Sequence, residues 1–397
     1  MGKLELGEVD MSGNAKRIRE WQGPALFSYG FRPFFLLGAI WAALAMLIWV
    51  AHLAGLLSLP FASLWHGHAL IFGFGAAAVG GFVLTAVPNW TGRLPVTGWP
   101  LAGLVGLWLA GRLLTAFETG PVGAAVDMAL PVVLVAMLAR EVIRGRNWRN
   151  LPVVALIATF GLGLILFHLA DPALGLRLGL AALVMLMALI GGRIIPSFTR
   201  NWLVKRGSDR LPVPFARLDK VVVAASAVAL LGFVAAPDAR LTALICGLVG
   251  LAHIARLARW QGVQTGPEPL LWILHLAYLW VALGFLSVAG AGLGLMPETG
   301  ARHAWMAGAV GVMTLAVMAR ASLGHTGREL HAGAGLTAVF VAVNIAAVAR
   351  LVQALLPGQA WLLHLAATAW ILAFAGFALL FWPVLTGPRL QAQQPNR

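Results

Sequence analysis

Charge is what this sequence has least of. Asp, Glu, Lys and Arg make up 11% of its 397 residues, against 60% hydrophobic, where a soluble domain carries about 25% charged residues. So few charges cannot cover a globule of this size with polar surface. A soluble fold is excluded, and the chain belongs in lipid. Its one cysteine, Cys246, sits in an apolar run, which excludes a disulfide framework and a cysteine-ligated metal site. Acids are scarcer than bases, 14 against 28. Inside the apolar runs almost none occur beyond Asp127 and, at an edge, Asp219. Proton-coupled pumps and cation transporters use buried carboxylates as relays, so this scarcity argues against a conventional secondary transporter. The Walker, HExxH and nucleophile-elbow motifs are absent too, which argues against an ATPase or a serine hydrolase. The first thirty residues are polar and the first apolar run is too long for a signal h-region, so no cleavable signal peptide is expected.

What is present is a succession of long apolar runs. A helix crossing the hydrocarbon needs roughly 20 apolar residues. Twelve such runs occur, near 31–57, 66–88, 99–117, 122–140, 151–169, 173–195, 219–236, 239–257, 269–290, 303–320, 332–351 and 359–383. Pro and Gly punctuate the junctions, as in "LADPAL" and "LLPGQ". Alternate loops collect the basic residues: Lys16, Arg17 and Arg19; Arg93; Arg140, Arg144, Arg146 and Arg149; Arg200, Lys205, Arg206, Arg210 and Arg217; Arg256 and Arg259; Arg328; Arg389. The opposite loops hold little beyond Glu118, Asp171, Asp238, Arg240, Glu298 and Arg302. By the positive-inside rule both termini face the cytoplasm. The net charge of +14 is then a property of loops and calls for no nucleic acid. The expected class is an all-α polytopic membrane protein, with a cytoplasmic segment 1–30, a membrane domain 31–385 and a tail 386–397.

A repeat runs through the spans. Thr91-Gly92-Arg93 starts 23 positions after His68, and Thr326-Gly327-Arg328 starts 23 after His303. Gly73 and Gly308 each follow the histidine by five. Span 6 matches more weakly, through Pro196 and Thr199 against Pro88 and Thr91. Spans 2, 6 and 10 thus suggest three units of four helices, near 31–145, 151–260 and 269–385. Arg193 and Arg320 then occupy matching places near the inner ends, where span 2 has Thr85. Sites in such architectures lie between units.

Ten histidines are the chemically active residues of the set. A neutral imidazole can enter a membrane helix and is the form that binds metal. His66 and His68, at i and i+2, point about 200° apart on a helix and cannot grip one ion. His68, matched by His303, is the better inward candidate, and two inward histidines at equal depth suit the axial positions of a haem. Gly73, Gly75, Gly80 and Gly81 offer a small-residue face for a macrocycle, or for ordinary helix packing. His275, with Tyr278 three residues on, and His325, between Arg320 and Arg328, are further metal candidates. Arg193, Arg320 and Arg328 are candidates for haem propionates or another anion, or are snorkelling side chains. His253 reads as interfacial, and His52, His168, His331 and His364 receive no role.

Five stretches resemble the NnrS family: "LFSYGFRPFF", "WHGHALIFGFGAAAVGGFVLTAVPNWTGR", "GGRIIPSFTRNWL", "EPLLWILHLAYLW" and "MTLAVMARASLGHTGREL". The resemblance runs from about Phe27 to the end of span 12. It implies a multi-pass protein of the bacterial inner membrane that holds haem (haem b) and copper and is linked to nitric oxide and nitrosative stress. Ala69 stands where the family pattern "WHxHE" has an acid. The architecture also resembles haem-copper oxidases, with twelve helices in three arcs and haem ligands on helices 2 and 10. The adjacent His-His pair of those enzymes is missing, and fold analogy does not carry chemistry. The expected function is binding or conversion of nitric oxide or another small diatomic. His68 and His303 would hold haem, while His66, His275 and His325 would hold copper or a second haem. Quinol or a cytochrome would supply any electrons. The alternatives are a metal-free transporter or sensor and a haem or copper handling protein without turnover.

Overall fold

A computed structural model describes residues 21–59, 62–91, 95–117 and 120–390. The expected loop residues Lys16, Arg17, Arg19, Arg93 and Glu118, and Gly92 of the first Thr-Gly-Arg, lie outside the described residues.

Twelve helices are long and apolar enough to cross a membrane, which makes the chain a multi-pass membrane protein. They are α1 (Phe31–Leu53), α2 (Ser63–Ala86), α3 (Trp99–Ala116), α4 (Pro121–Arg144), α5 (Trp148–Leu169), α6 (Pro172–Lys205), α7 (Arg217–Ala235), α8 (Arg240–Ala258), α9 (Pro269–Gly292), α10 (Glu298–His325), α11 (Ala334–Leu355) and α12 (Trp361–Thr386). No strand occurs among the described residues. Proline at the first turn opens α4 and α9, and Asp171 caps α6 through the Ala173 amide, a start signal readable in the sequence. α6 runs ten residues past its expected end at 195, because the polar stretch from Ser197 to Lys205 continues the helix beyond the apolar span.

The Arg32 guanidinium donates from Nη1 to the carbonyls of Leu385 (2.9 Å) and Gly387 (2.7 Å). This ties the start of α1 to the end of α12 and defines a terminal face. Even-numbered helices therefore enter from the opposite, distal face. At the centre α6 and α10 pack against each other and against both α2 and α9, and α12 closes on α1. Burial follows that order: 78% of the α2 core window is buried, against 28% for α3. Leu47, Leu113, Val228, Leu248, Leu372 and Leu379 on the outer helices are exposed, as a surface solvated by lipid tails requires.

The three central helices α2, α6 and α10 each contain a π-helical segment: Ala69–Phe74, Met187–Gly191 and Ala304–Val312. In α2 and α10 the segment starts directly after His68 and His303. A π turn widens the helix, disturbs the regular i→i−4 ladder and recurs at functional sites. Side chains engage carbonyls along these segments, as lipid demands. Trp41 Nε1 donates to Ala69 O (2.8 Å), Trp108 Nε1 to Gly73 O (3.0 Å) and Arg256 Nη1 to Ala188 O (2.9 Å). The glycine face of α2 is occupied by these neighbours. A Cβ on Gly73 would stand 2.5 Å from Trp41 Nε1, and one on Gly81 would stand 2.6 Å from the Phe35 ring. The close approach of aromatic rings is why glycine stands there.

Candidate metal centre

α2 brings its two histidines in at the distal end. Their i, i+2 spacing turns the rings to different sides, and the structure gives them different neighbours. His68 meets α4 and α5. His66 meets α1 and α10.

His68 is 3% exposed and its Nε2 lies 2.7 Å from Asp127 Oδ2 on α4. His168 Nε2, from the end of α5, lies 2.9 Å from the same oxygen. Arg112 on α3 forms an ion pair with the other carboxylate oxygen, Oδ1. One Asp, one Arg and two His thus converge from four consecutive helices. An ionised carboxylate only accepts, so both imidazoles donate their Nε2 protons to it, and both are neutral with lone pairs at Nδ1. Arg112 supplies the compensating charge without which a buried carboxylate is costly. Its Nε and Nη1 find no hydrogen-bond partner among the described residues. Phe72 and Phe167 pack against the His68 ring at 5.8 and 4.8 Å between centroids, and screen it from water.

The donor set fits a metal ion. His68, Asp127 and His168 offer ligand atoms within 4.8 Å of one another, and two imidazoles with a carboxylate suit copper, zinc or non-haem iron. Ligands around a tetrahedral ion, with bonds of about 2.0–2.1 Å, stand about 3.3 Å apart. The hydrogen-bonded distances are shorter. Loading through Nε2 therefore requires the three groups to spread by about half an ångström and each neutral imidazole to carry its proton on Nδ1 instead of Nε2.

His66 stacks on Trp49 of α1, with centroids 4.7 Å apart and an interplanar angle of 21°. On its other side stands His303 of α10, at 6.5 Å and 19°. His66 Nδ1 is buried without a partner, and His303 Nδ1 is 2.6 Å from Thr299 O. His68 and His303, the expected axial pair, have different nearest rings in this arrangement. The histidine facing His303 is His66, and the rings around His68 are Phe72, Phe167 and His168. Equal sequence spacing gave equal depth, but depth does not fix the rotation of a side chain about its helix.

The remaining candidates separate. His275 Nε2 contacts Thr199 Oγ1 at 2.9 Å and its Nδ1 is buried without a partner. It does not pair with Tyr278. The Tyr278 hydroxyl instead accepts from Arg256 Nη1 (2.6 Å) and donates to His253 Nδ1 (2.9 Å), whose Nε2 donates to Ser226 Oγ (2.8 Å) and onward to Val222 O (2.6 Å). His253, expected at the interface, is fully buried in this chain of bonds. Arg256 also donates from Nε to Asp219 (2.8 Å) in the first turn of α7, so Asp219, like Asp127, answers an arginine. His325 packs edge-on against Tyr29 and lines a cavity with Arg193 and Arg320. Arg328 is not among that cavity's lining residues, and its Nη1 is buried without a partner. His331, outside the spans, lies 2.9 Å from Glu268 Oε2, and that carboxylate raises its pKa above the usual histidine value.

Sequence reasoning did not assign Arg112 or His168 to this site and gave Asp127 no role. One signal was available. An acid in mid-membrane demands a cation nearby, and Arg112 falls at a similar distance from the distal face on the neighbouring helix.

Over residues 25–389 the chain matches the family model described as NnrS protein. No curated protein matches it.

Proposed function

The chain belongs to the NnrS family, and on that premise we propose that it is a metal-binding membrane protein of nitric oxide metabolism, with its centre at His68, Asp127 and His168. Family membership suggests the nitric oxide link. The observation that carries the location is the His–Asp–His cluster, with His68 and Asp127 buried and His168 half-buried, backed by Arg112. Its donors fit copper or non-haem iron. A bound ion would supply an open coordination position and a redox couple for a small diatomic ligand.

The protein's own groups prepare the place. Arg112 holds Asp127 ionised and oriented. Asp127 holds both imidazoles in the Nε2–H tautomer, and an ion bound at Nε2 would require the Nδ1–H tautomer. Phe72, Phe160 and Phe167 keep water away, and low polarity favours a neutral diatomic, which dissolves in lipid, over an anion. His66 and His303 form a second, smaller donor set beside Trp49. His68 and His303 stand with different partners, His68 with Asp127 and His168 and His303 beside His66. No step is therefore assigned to haem. The loop charges support an inner-membrane location with both termini in the cytoplasm, and quinol or a cytochrome is the class of donor for any reduction.

The test is metal analysis of the purified protein with nitric oxide titration followed by absorbance. Wild type holds metal and gives a nitrosyl spectrum, whereas His168→Ala and Asp127→Asn lose both. Nitric oxide consumption with a reductant then separates an enzyme from a handling protein. Wild-type protein that takes up no copper or iron overturns the reading.

A further inference from the structure

The three central helices converge again at the terminal face, where they enclose a cavity of 510 Å³. Small-molecule sites are commonly of about 300–1,000 Å³. Its polar wall carries Thr85 at the end of α2, Arg193 on α6, Arg320 and His325 on α10, and Asn150 at the start of α5. No acid lines it. Neither Arg193 nor Arg320 has a carboxylate within ion-pair distance among the described residues, in contrast to Arg112 and Arg256. The Arg320 guanidinium lies 4.2 Å over the Phe198 ring, which is itself part of the wall. That stacking fixes one cation on the cavity lining rather than leaving it to swing into the interface.

Above the arginines the space continues as an apolar shaft of 90 Å³ between α2, α6 and α10. The two spaces share Phe35, Phe82, Val153 and Ile190, and the shaft ends among Gly75, Met187, Met313 and Met318. The whole is amphipathic: cationic at the mouth, greasy inside.

We propose that this cavity binds an anionic amphiphile, with a phosphate or carboxylate head on Arg193 and Arg320 and an apolar body in the shaft. Glu268 acts on Arg320 only from beyond ion-pair distance; a guanidinium with no paired carboxylate at membrane depth is costly, and an oxyanion answers it with charge-assisted hydrogen bonds. The head alone would be met by solvated interface arginines anywhere; the continuous apolar shaft between the repeat-related helices makes the ligand an amphiphile. The site is separate from the metal centre. Seventeen residues of α2 part His68 from Thr85, about 25 Å at 1.5 Å per residue, so either proposal can fail without the other.

The experiment uses the full chain in a nonionic detergent, titrated with dodecyl phosphate, dodecanol and inorganic phosphate, with binding read by calorimetry. Dodecyl phosphate binds with one-to-one stoichiometry, and at least about tenfold more tightly than either half-molecule. Arg193→Gln/Arg320→Gln weakens it by at least about tenfold, and Arg193→Lys/Arg320→Lys retains most of the affinity. Ala321→Phe, which narrows the cavity and leaves both guanidiniums, weakens it too. Native mass spectrometry distinguishes the sources. A retained phospholipid lost in the Gln variant identifies a lipid headgroup, and a retained tetrapyrrole dicarboxylate lost in it identifies haem propionates. The proposal is overturned if dodecyl phosphate binds the folded Gln double variant as tightly as wild type, or if wild type does not bind it at all.

Discussion

Severing the ion pair between Arg112 and Asp127 is the sharpest test of how the candidate centre is held. Both side chains are almost inaccessible, at 3% and 1% exposure. The carboxylate's other partners are two neutral imidazoles. Arg112→Met leaves Asp127 with hydrogen bonds but no compensating cation. Breaking a buried pair from one side costs about 3–5 kcal/mol. Asp127→Leu strands the guanidinium at similar cost, and also leaves His68 and His168 without an acceptor. The double variant Arg112→Met/Asp127→Leu removes both charges. Apolar replacement of a buried pair is commonly near neutral, so the double variant loses about 1–2 kcal/mol, chiefly from the two unaccepted imidazole N–H groups. The assay is reversible unfolding in mixed micelles, followed by far-ultraviolet circular dichroism on chelator-treated protein. A coupling energy of at least about 3 kcal/mol is expected. Single-variant effects that simply add, to within about 0.5 kcal/mol, would refute the reasoning.

Other consequences are read more simply. Tyr278→Phe takes away the hydroxyl that accepts from Arg256 and donates to His253, and costs about 1–3 kcal/mol in the same unfolding assay. Trp108→Phe leaves Gly73 O, in the π segment of α2, without its indole donor, with a loss of about 1–3 kcal/mol and faster amide exchange around Ala69–Phe74. Gly192→Ala is disruptive because its Cβ would stand 2.2 Å from Arg256 Nη2, inside a fully buried network; a lower thermal midpoint checks it. His331 titrates above the usual histidine value because protonation engages Glu268. Its contribution is therefore fully present below the unfolded pKa and is lost as pH rises through the folded one. The amide of Ala332, which donates to Glu268, loses exchange protection over that window, and His331→Ala removes the dependence.

The twelve spans were legible because hydropathy and loop charge answer directly to the bilayer. Which residues meet was much less legible. The His68–His303 alignment correctly marked two helices whose π segments start at matching positions, yet the ring facing His303 belongs to His66. A sequence offset fixes depth, whereas rotation about the helix depends on turns that periodicity cannot show, and each π segment shifts the angular phase of the residues beyond it. Asp127 shows the opposite error. Its rarity served as an argument about transport, when a lone mid-membrane acid is better read as the pole of a site. His168 and His253 received no site role because neither carries a motif; their partners sit on neighbouring helices, where spacing along one helix gives no sign of them.

Uptake of copper or iron by the purified protein decides whether His68, Asp127 and His168 hold an ion. Metal per chain is measured after loading and desalting, for wild type, His168→Ala, Asp127→Asn and the control His364→Ala, whose side chain is at the exposed start of α12. The account predicts stoichiometric metal in wild type and the control, and at least about tenfold less in the two cluster variants. Equal metal in all four, or none in wild type, would contradict it.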